Sequence, residues 1–194
     1  NKLVDQINRA FRRDVYGDPN LPIQPKEILM VVQNNYAVPL TNGDFVEVVS
    51  VGEIVLQANL RFQSIRVKAL ASEREYELLI SIDVLQSKDG NFTRHQSKAL
   101  MVDFSRRMKS KRIQPNSEKY KEEMMKDGFL NCLKAKFGYA VTCHKAQGGE
   151  WDEVYLFLDK GMYIMEPPGL FRWWYTAVTR ARKKLHIHDE WWIA

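Results

Sequence analysis

Cysteine is scarce. Only Cys132 and Cys143 occur in 194 residues, and neither lies in a CxxC pair or at a spacing that would clamp zinc with the four histidines. Two reduced thiols in a cytosolic protein are the expectation, with no metal site. Cys143 and His144 are adjacent, and neighbours on an extended strand point to opposite faces, which argues against a nucleophile and its base. Long apolar runs are also missing. No segment approaches a membrane span, so no membrane partner is expected, and the opening "NKLVDQINRAFRRDVYG" lacks the apolar centre of a signal peptide. No internal repeat or low-complexity tract occurs. The chain starts on Asn1 rather than Met and is expected to be a segment of a longer protein.

What is present suits a globular chain. Apolar residues make up 45%, enough for one packed domain or one domain carrying an insertion. A net charge of +5 and a pI near 9.1 favour a polyanionic partner, either nucleic acid or nucleotide.

Leu3, Ile7, Ala10 and Phe11 fall on one face of a leading helix, which "GDPNLPIQPKE" ends. Ile28 to Val32 reads as a buried strand, followed by the turn-rich "QNNYAVPLTNGD". From Phe45 the pattern changes to short β-prone pieces, "FVEVVSV", "SIRVKAL" and "YELLISIDVL", with "KDGN" as a turn. A compact antiparallel insertion, in the manner of a small barrel, is predicted over 45–97. Leu100, Phe104 and Met108 then predict a helix bearing Arg106, Arg107, Lys109, Lys111 and Arg112. After a proline break, Ser117 caps a second helix, so 98–126 forms a charged helical arm. A basic helix face is ordinarily just solvated, and nucleic-acid contact is the alternative.

The chemistry concentrates in "GYAVTCHKAQGGEWDEVYLFL", Gly138 to Leu158. Tyr139–Cys143 and Val154–Leu158 read as strands, which places a polar knot at a strand's carboxyl end, where parallel α/β sheets bind ligands. Gln147 and Glu150 can hydrogen-bond amide, ribose or base groups, and Gly148 and Gly149 let a backbone approach closely. Thr142, His144 and Lys145 suit phosphate or sugar. Each has an ordinary explanation alone; gathered within nine positions they favour a ligand site. Farther on, Leu170, Trp173, Trp174, Ala177, Val178 and Ala181 form the core stripe of a predicted helix over 170–182, with the tryptophans as packing. Arg180 would lie about 20° from Trp173 on that helix, at the stripe's border, where a guanidinium needs an anion or a cleft.

These residues resemble a known family. "YAVTCHKAQGGEWDEV" is similar to motif V, and "YTAVTRARKKL" to motif VI, of superfamily 1 DNA helicases of the UvrD/RecD type. "ILMVVQNNYAVPLTNGDFVEVV" resembles the segment by which RecD-like members enter their second motor lobe. The resemblance implies an α/β fold: a RecA-like parallel-sheet lobe over 1–44 and 127–194, with the β-rich insertion as an SH3-like barrel. By position it makes Arg180 the catalytic arginine that reaches the γ-phosphate of ATP. Gln147, Gly148 and Glu150 join Arg180 in ATP binding, with Glu150 on the ribose, and Thr142, His144 and Lys145 touch single-stranded DNA. The implied partners are ATP, single-stranded DNA and the amino-terminal motor lobe of the same protein.

The sequence contains no GxxxxGK[ST] loop and no acidic pair after a strand that would hold magnesium. ATP with Mg²⁺ is therefore expected to be held mainly by that first lobe. Carboxylates that would arm a nuclease are missing too, so any nuclease would reside elsewhere in the parent. Two other readings stand beside the helicase lobe: a nucleic-acid-binding module without catalysis, and a scaffold lobe of a multisubunit helicase-nuclease.

Overall fold

The computed structural model describes residues 2–158 and 164–188. The chain divides into two compact units, one up to Ala140 and one from Val141 onward.

The first unit is built on a five-stranded sheet: β1 (Ile28–Val31), β2 (Phe45–Gln57), β3 (Leu60–Ala69), β4 (Glu75–Ser81) and β5 (Ala135–Phe137), in the order β4-β3-β2-β1-β5. Every pairing within it is antiparallel. β3 alternates buried and exposed along most of its length, as a strand with one face on the core should. Leu29, Val31, Val46, Val48, Ile65, Val67 and Ile80 fill that core. The predicted β-rich segment is present, and its sheet also takes in the strand from Ile28. That strand does not enter a parallel lobe sheet: Leu29 pairs with Val46 on one side and Phe137 on the other. The expected barrel is not closed either. One isolated bridge, Ile80 to Leu133, brings the chain before β5 back to β4 without a continuous ladder.

Helix α1 (Lys2–Tyr16) docks by polar groups, contrary to its apolar pattern. Its buried residues are Asn8 and Arg12, while Phe11 is half exposed and stacks on Tyr139 with ring centroids 5.5 Å apart. The Asn8 amide donates to the Ala140 carbonyl and accepts from the Ala140 N–H, both at 3.0 Å. Arg12 pairs with Glu27, which is 0% exposed, donates to the carbonyls of Pro19, Leu21 and Pro22, and lies over the Phe137 ring. A buried pair persists only when its remaining protons and lone pairs are satisfied, and here the carbonyls of the "DPNLP" turn and the Gln24 N–H do that.

After the short α2 (Ile82–Gln86) come α3 (Arg94–Ser110) and α4 (Glu118–Lys126). Thr93 and Gln96 form a reciprocal capping box that starts α3, and Ser117 caps α4 as predicted. The arm is part of the packed unit. Leu100 packs with Phe62 and Cys132, while Phe104 and Met108 meet Ile113 and Tyr120. Arg107 is not free for a ligand, since it bridges Asp103 and Asp127, and Lys111 pairs with Glu123.

In the second unit the described residues hold one β-α-β arrangement: β6 (Trp151–Phe157), α5 (Pro167–Val178) and β7 (Ala181–His188), with β6 and β7 parallel. This is the extent of the parallel sheet among the described residues, against the full RecA-like sheet expected. The run "DKGMYIMEPPG" between β6 and α5, which reads from sequence as a long loop, lies partly outside those residues. No helix among them is long and apolar enough to cross a membrane.

Candidate functional site

The predicted strand Tyr139–Cys143 is not formed. At Ala140 the Asn8 side chain takes both backbone groups that a ladder would use. The polar knot therefore lies ahead of the amino end of β6 and does not follow a carboxyl end. It folds as consecutive turns. The Thr142 carbonyl accepts from the N–H groups of Lys145 and Ala146, at 2.9 and 3.0 Å, and Gly149 N–H reaches the Ala146 carbonyl at 3.1 Å. Gly148 closes the run at φ +85°, a conformation that side chains rarely adopt.

This winding sorts the loop into two faces. Cys143 turns toward α5, its thiol 3.7 Å from the Trp173 carbonyl, and Ala146, three residues on, is buried. Burial pushes the Cys143 thiol up, and the positive Arg180 partly opposes that shift. His144, Gln147 and Gly148 are exposed. Thr142 is half-buried, with its hydroxyl turned toward the Lys145 N–H at 3.4 Å.

Helix α5 opens on Pro167 and Pro168 and stops at Val178, short of the predicted 182. Its last carbonyls are met by backbone and side chains together: the Thr179 and Arg180 N–H groups reach the Tyr175 and Ala177 carbonyls at 3.2 and 3.3 Å. The Thr179 hydroxyl donates to the Tyr175 carbonyl at 2.7 Å, and Arg180 Nε to the Thr176 carbonyl at 2.9 Å. Arg180 thus sits in the turn between α5 and β7, and its predicted angle from Trp173 on a continuing helix does not apply. Nη1 donates to the Gly149 carbonyl at 2.8 Å, and Nη2 to the Thr179 hydroxyl at 3.0 Å. The Arg180 carbonyl in turn accepts from the Trp151 N–H at 2.9 Å. Arg180 is consequently the junction between the end of α5, the polar loop and the start of β6.

Glu150 pairs with Arg182 at 3.2 Å, both side chains largely exposed. Sequence reasoning missed this pair because it placed Arg182 on a helix, whereas β7 begins at Ala181 and sets Arg182 beside the incoming β6. An ion pair between Asp152 and Lys183, and a 3.2 Å contact between Glu153 and His186 Nε2, continue the row of cross-strand contacts. The structure thus brings Arg180, Gly149, Glu150 and Arg182 together, and leaves His144 and Gln147 facing solvent. Trp173 and Trp174 are half-buried and meet edge to face at 5.8 Å. Among the described residues no group of three or more His, Cys, Asp or Glu could hold a metal ion.

Residues 137–188 match the family model of the UvrD-like helicase C-terminal domain, about a quarter of the chain. That span contains the whole polar loop, α5, Arg180 and β7. The chain is therefore similar, over this region, to the C-terminal region of UvrD-like superfamily 1 helicases. No curated protein matches the sequence.

Proposed function

We propose that this chain is the carboxyl-terminal motor lobe of an ATP-dependent DNA helicase of the RecD-like branch, contributing half of a composite ATPase site. The observation that carries the reading is the bond from Arg180 to the Gly149 carbonyl within the segment that matches the helicase domain. It ties the arginine offered to nucleotide to the loop offered to both nucleotide and DNA.

In this reading Arg180 releases the Gly149 and Thr176 carbonyls and turns its planar cation to the γ-phosphate of ATP, where phosphoryl transfer spreads negative charge. Glu150 exchanges Arg182 for a ribose hydroxyl. That exchange is cheap, because an exposed ion pair contributes only about 0–1 kcal/mol. Gln147 and Gly148 border the nucleotide. His144, exposed on the same loop, contacts a single strand together with Thr142 and Lys145. Movement of the Gly149 carbonyl when Arg180 lets go gives hydrolysis a direct route to the strand grip. Mg²⁺ and most phosphate contacts belong to the amino-terminal lobe, and no step here depends on them.

The test is ATP hydrolysis with and without single-stranded DNA, by the full-length protein and by this chain alone. The motor reading expects DNA-stimulated turnover from the former and none from the latter. DNA-stimulated turnover by this chain alone would overturn the half-site assignment. Binding of DNA by a full-length protein without turnover would favour a non-catalytic module or scaffold lobe.

A further inference from the structure

Helix α3 carries a second stripe that its packing leaves largely unused, the exception being Ser105, whose hydroxyl lies 3.0 Å from that of Tyr120. Leu100, Phe104 and Met108 face inward. On another face Lys98, Met101, Val102, Ser105, Arg106 and Lys109 recur at i, i+3, i+4, i+7, i+8 and i+11, one continuous line along a helix. Met101 and Val102 are 40% and 42% exposed. The chain after α3 turns back along this face. Arg112 and Asn116 adopt positive φ, the Ile113 N–H bonds the Met108 carbonyl, and Pro115 becomes a wall. The result is an open groove of about 620 Å³ with an aliphatic floor and a basic rim.

The cations on this rim differ from their neighbours. Arg107 and Lys111 of the same arm are held by Asp103, Asp127 and Glu123. Among the described residues Lys98, Arg106 and Lys109 have no such acidic partner. We propose that this groove docks an acidic amphipathic helix of a protein partner, its apolar stripe on Met101 and Val102 and its carboxylates against Lys98, Arg106 and Lys109. Charge complementarity sets the sign of the partner. The floor sets its class: helix-in-groove recognition places aliphatic anchors at i, i+3, i+4 and i+7, whereas a single-strand surface presents aromatic rings for stacking, and this groove has none. The proposal is independent of the ATPase reading, since every residue in it lies in the first unit.

The probe is a fluorescein-labelled 16-residue peptide with leucine at i, i+3, i+4 and i+7 of a helix and glutamate between. A scrambled peptide of the same composition and a labelled 16-nucleotide oligothymidylate serve as comparisons. Anisotropy is read on the full chain, on the triple variant Lys98→Glu/Arg106→Glu/Lys109→Glu, and on Met101→Asp. All four positions are exposed and unpaired, so thermal melts should match the parent. Expected is binding of the patterned peptide over the scrambled one, weakened about tenfold or more by each variant. Absence of peptide binding, or binding indifferent to Met101→Asp, would overturn the proposal. So would oligothymidylate binding that the triple variant abolishes while peptide binding persists.

Discussion

Arg180 holds the Gly149 carbonyl at 2.8 Å across the amino ends of two parallel strands. An arginine in this position has a structural role as well as the proposed catalytic one, and the two separate experimentally. Loss of its side-chain bonds at the end of α5 should cost about 1–3 kcal/mol in Arg180→Ala, read by urea unfolding. DNA-stimulated hydrolysis by the full-length protein should fall by roughly 10²-fold or more in both Arg180→Ala and Arg180→Lys, because lysine lacks the two-pronged cation. Arg182→Ala, which removes only an exposed pair with Glu150, should stay within about 0.5 kcal/mol of the parent in stability and retain hydrolysis. The reverse order of effects on hydrolysis would reassign the catalytic arginine.

The two adjacent glycines should respond differently. A Cβ at Gly149 would collide with the Trp151 ring, so Gly149→Ala must displace the indole at the start of β6. At Gly148 a Cβ meets nothing within 4 Å, and the cost is the φ of +85° alone, about 1 kcal/mol. Tryptophan fluorescence should change in the first variant and not in the second.

Removing one member of the Arg12–Glu27 pair strands a fully buried charge. Arg12→Met should lose about 3–5 kcal/mol in denaturant unfolding. The double variant Arg12→Met/Glu27→Leu should recover much of that loss, since no charge is left uncompensated. A double variant as unstable as the sum of the singles would mean the two residues act independently.

Burial pushes the Cys132 thiol up to about 12, from an ordinary value of 9.0. Above pH 9 the unfolded chain therefore releases a proton that the folded chain keeps. The stabilising effect is complete below pH 9 and is lost as pH rises toward 12, with a slope of up to about 1.4 kcal/mol per pH unit. Unfolding free energies at pH 8, 9 and 10 should decline more gently in Cys132→Ala than in the parent. Equal slopes would mean that Cys132 ionises in the folded protein as freely as in the unfolded.

Single-stranded DNA should bind this chain weakly and with strong salt dependence. Thr142→Ala and His144→Ala should weaken it further in a filter-binding titration, whereas substitution of Arg107 should act through stability, because that side chain is committed to Asp103 and Asp127. Unchanged DNA affinity in Thr142→Ala/His144→Ala would remove the polar loop from the strand's path.

Elements defined by a local pattern were legible in the sequence. The β-prone pieces from Phe45 onward alternate as half-buried strands do, and Leu100, Phe104 and Met108 repeat every four residues along the buried face of α3. Elements defined by a distant partner were not. Nothing within Ile28–Val31 tells whether its neighbours run parallel, and its pairing with Phe45–Glu47 and Ala135–Phe137 is antiparallel. In the candidate site, the cluster of polar residues was legible and its geometry was not. "TRARKK" contains no glycine or proline to stop a helix; α5 ends because Thr179 and Arg180 satisfy its last carbonyls. Asn8 and Arg12 were overlooked because an apolar-stripe reading ignores polar anchors.

The clasp between Asn8 and Ala140 joins positions 132 residues apart in the chain. Such a contact repays its loop-closure entropy only at the end of folding. During synthesis α1 emerges ahead of its partner and waits, its buried face without a seat, until the residues around Phe137 and Ala140 leave the ribosome. Until then β1 also lacks one neighbour and presents an open edge that invites mispairing. The first unit is thus a structure whose two ends must be made before either is stable, and any truncation ahead of Ala140 should yield an aggregation-prone chain.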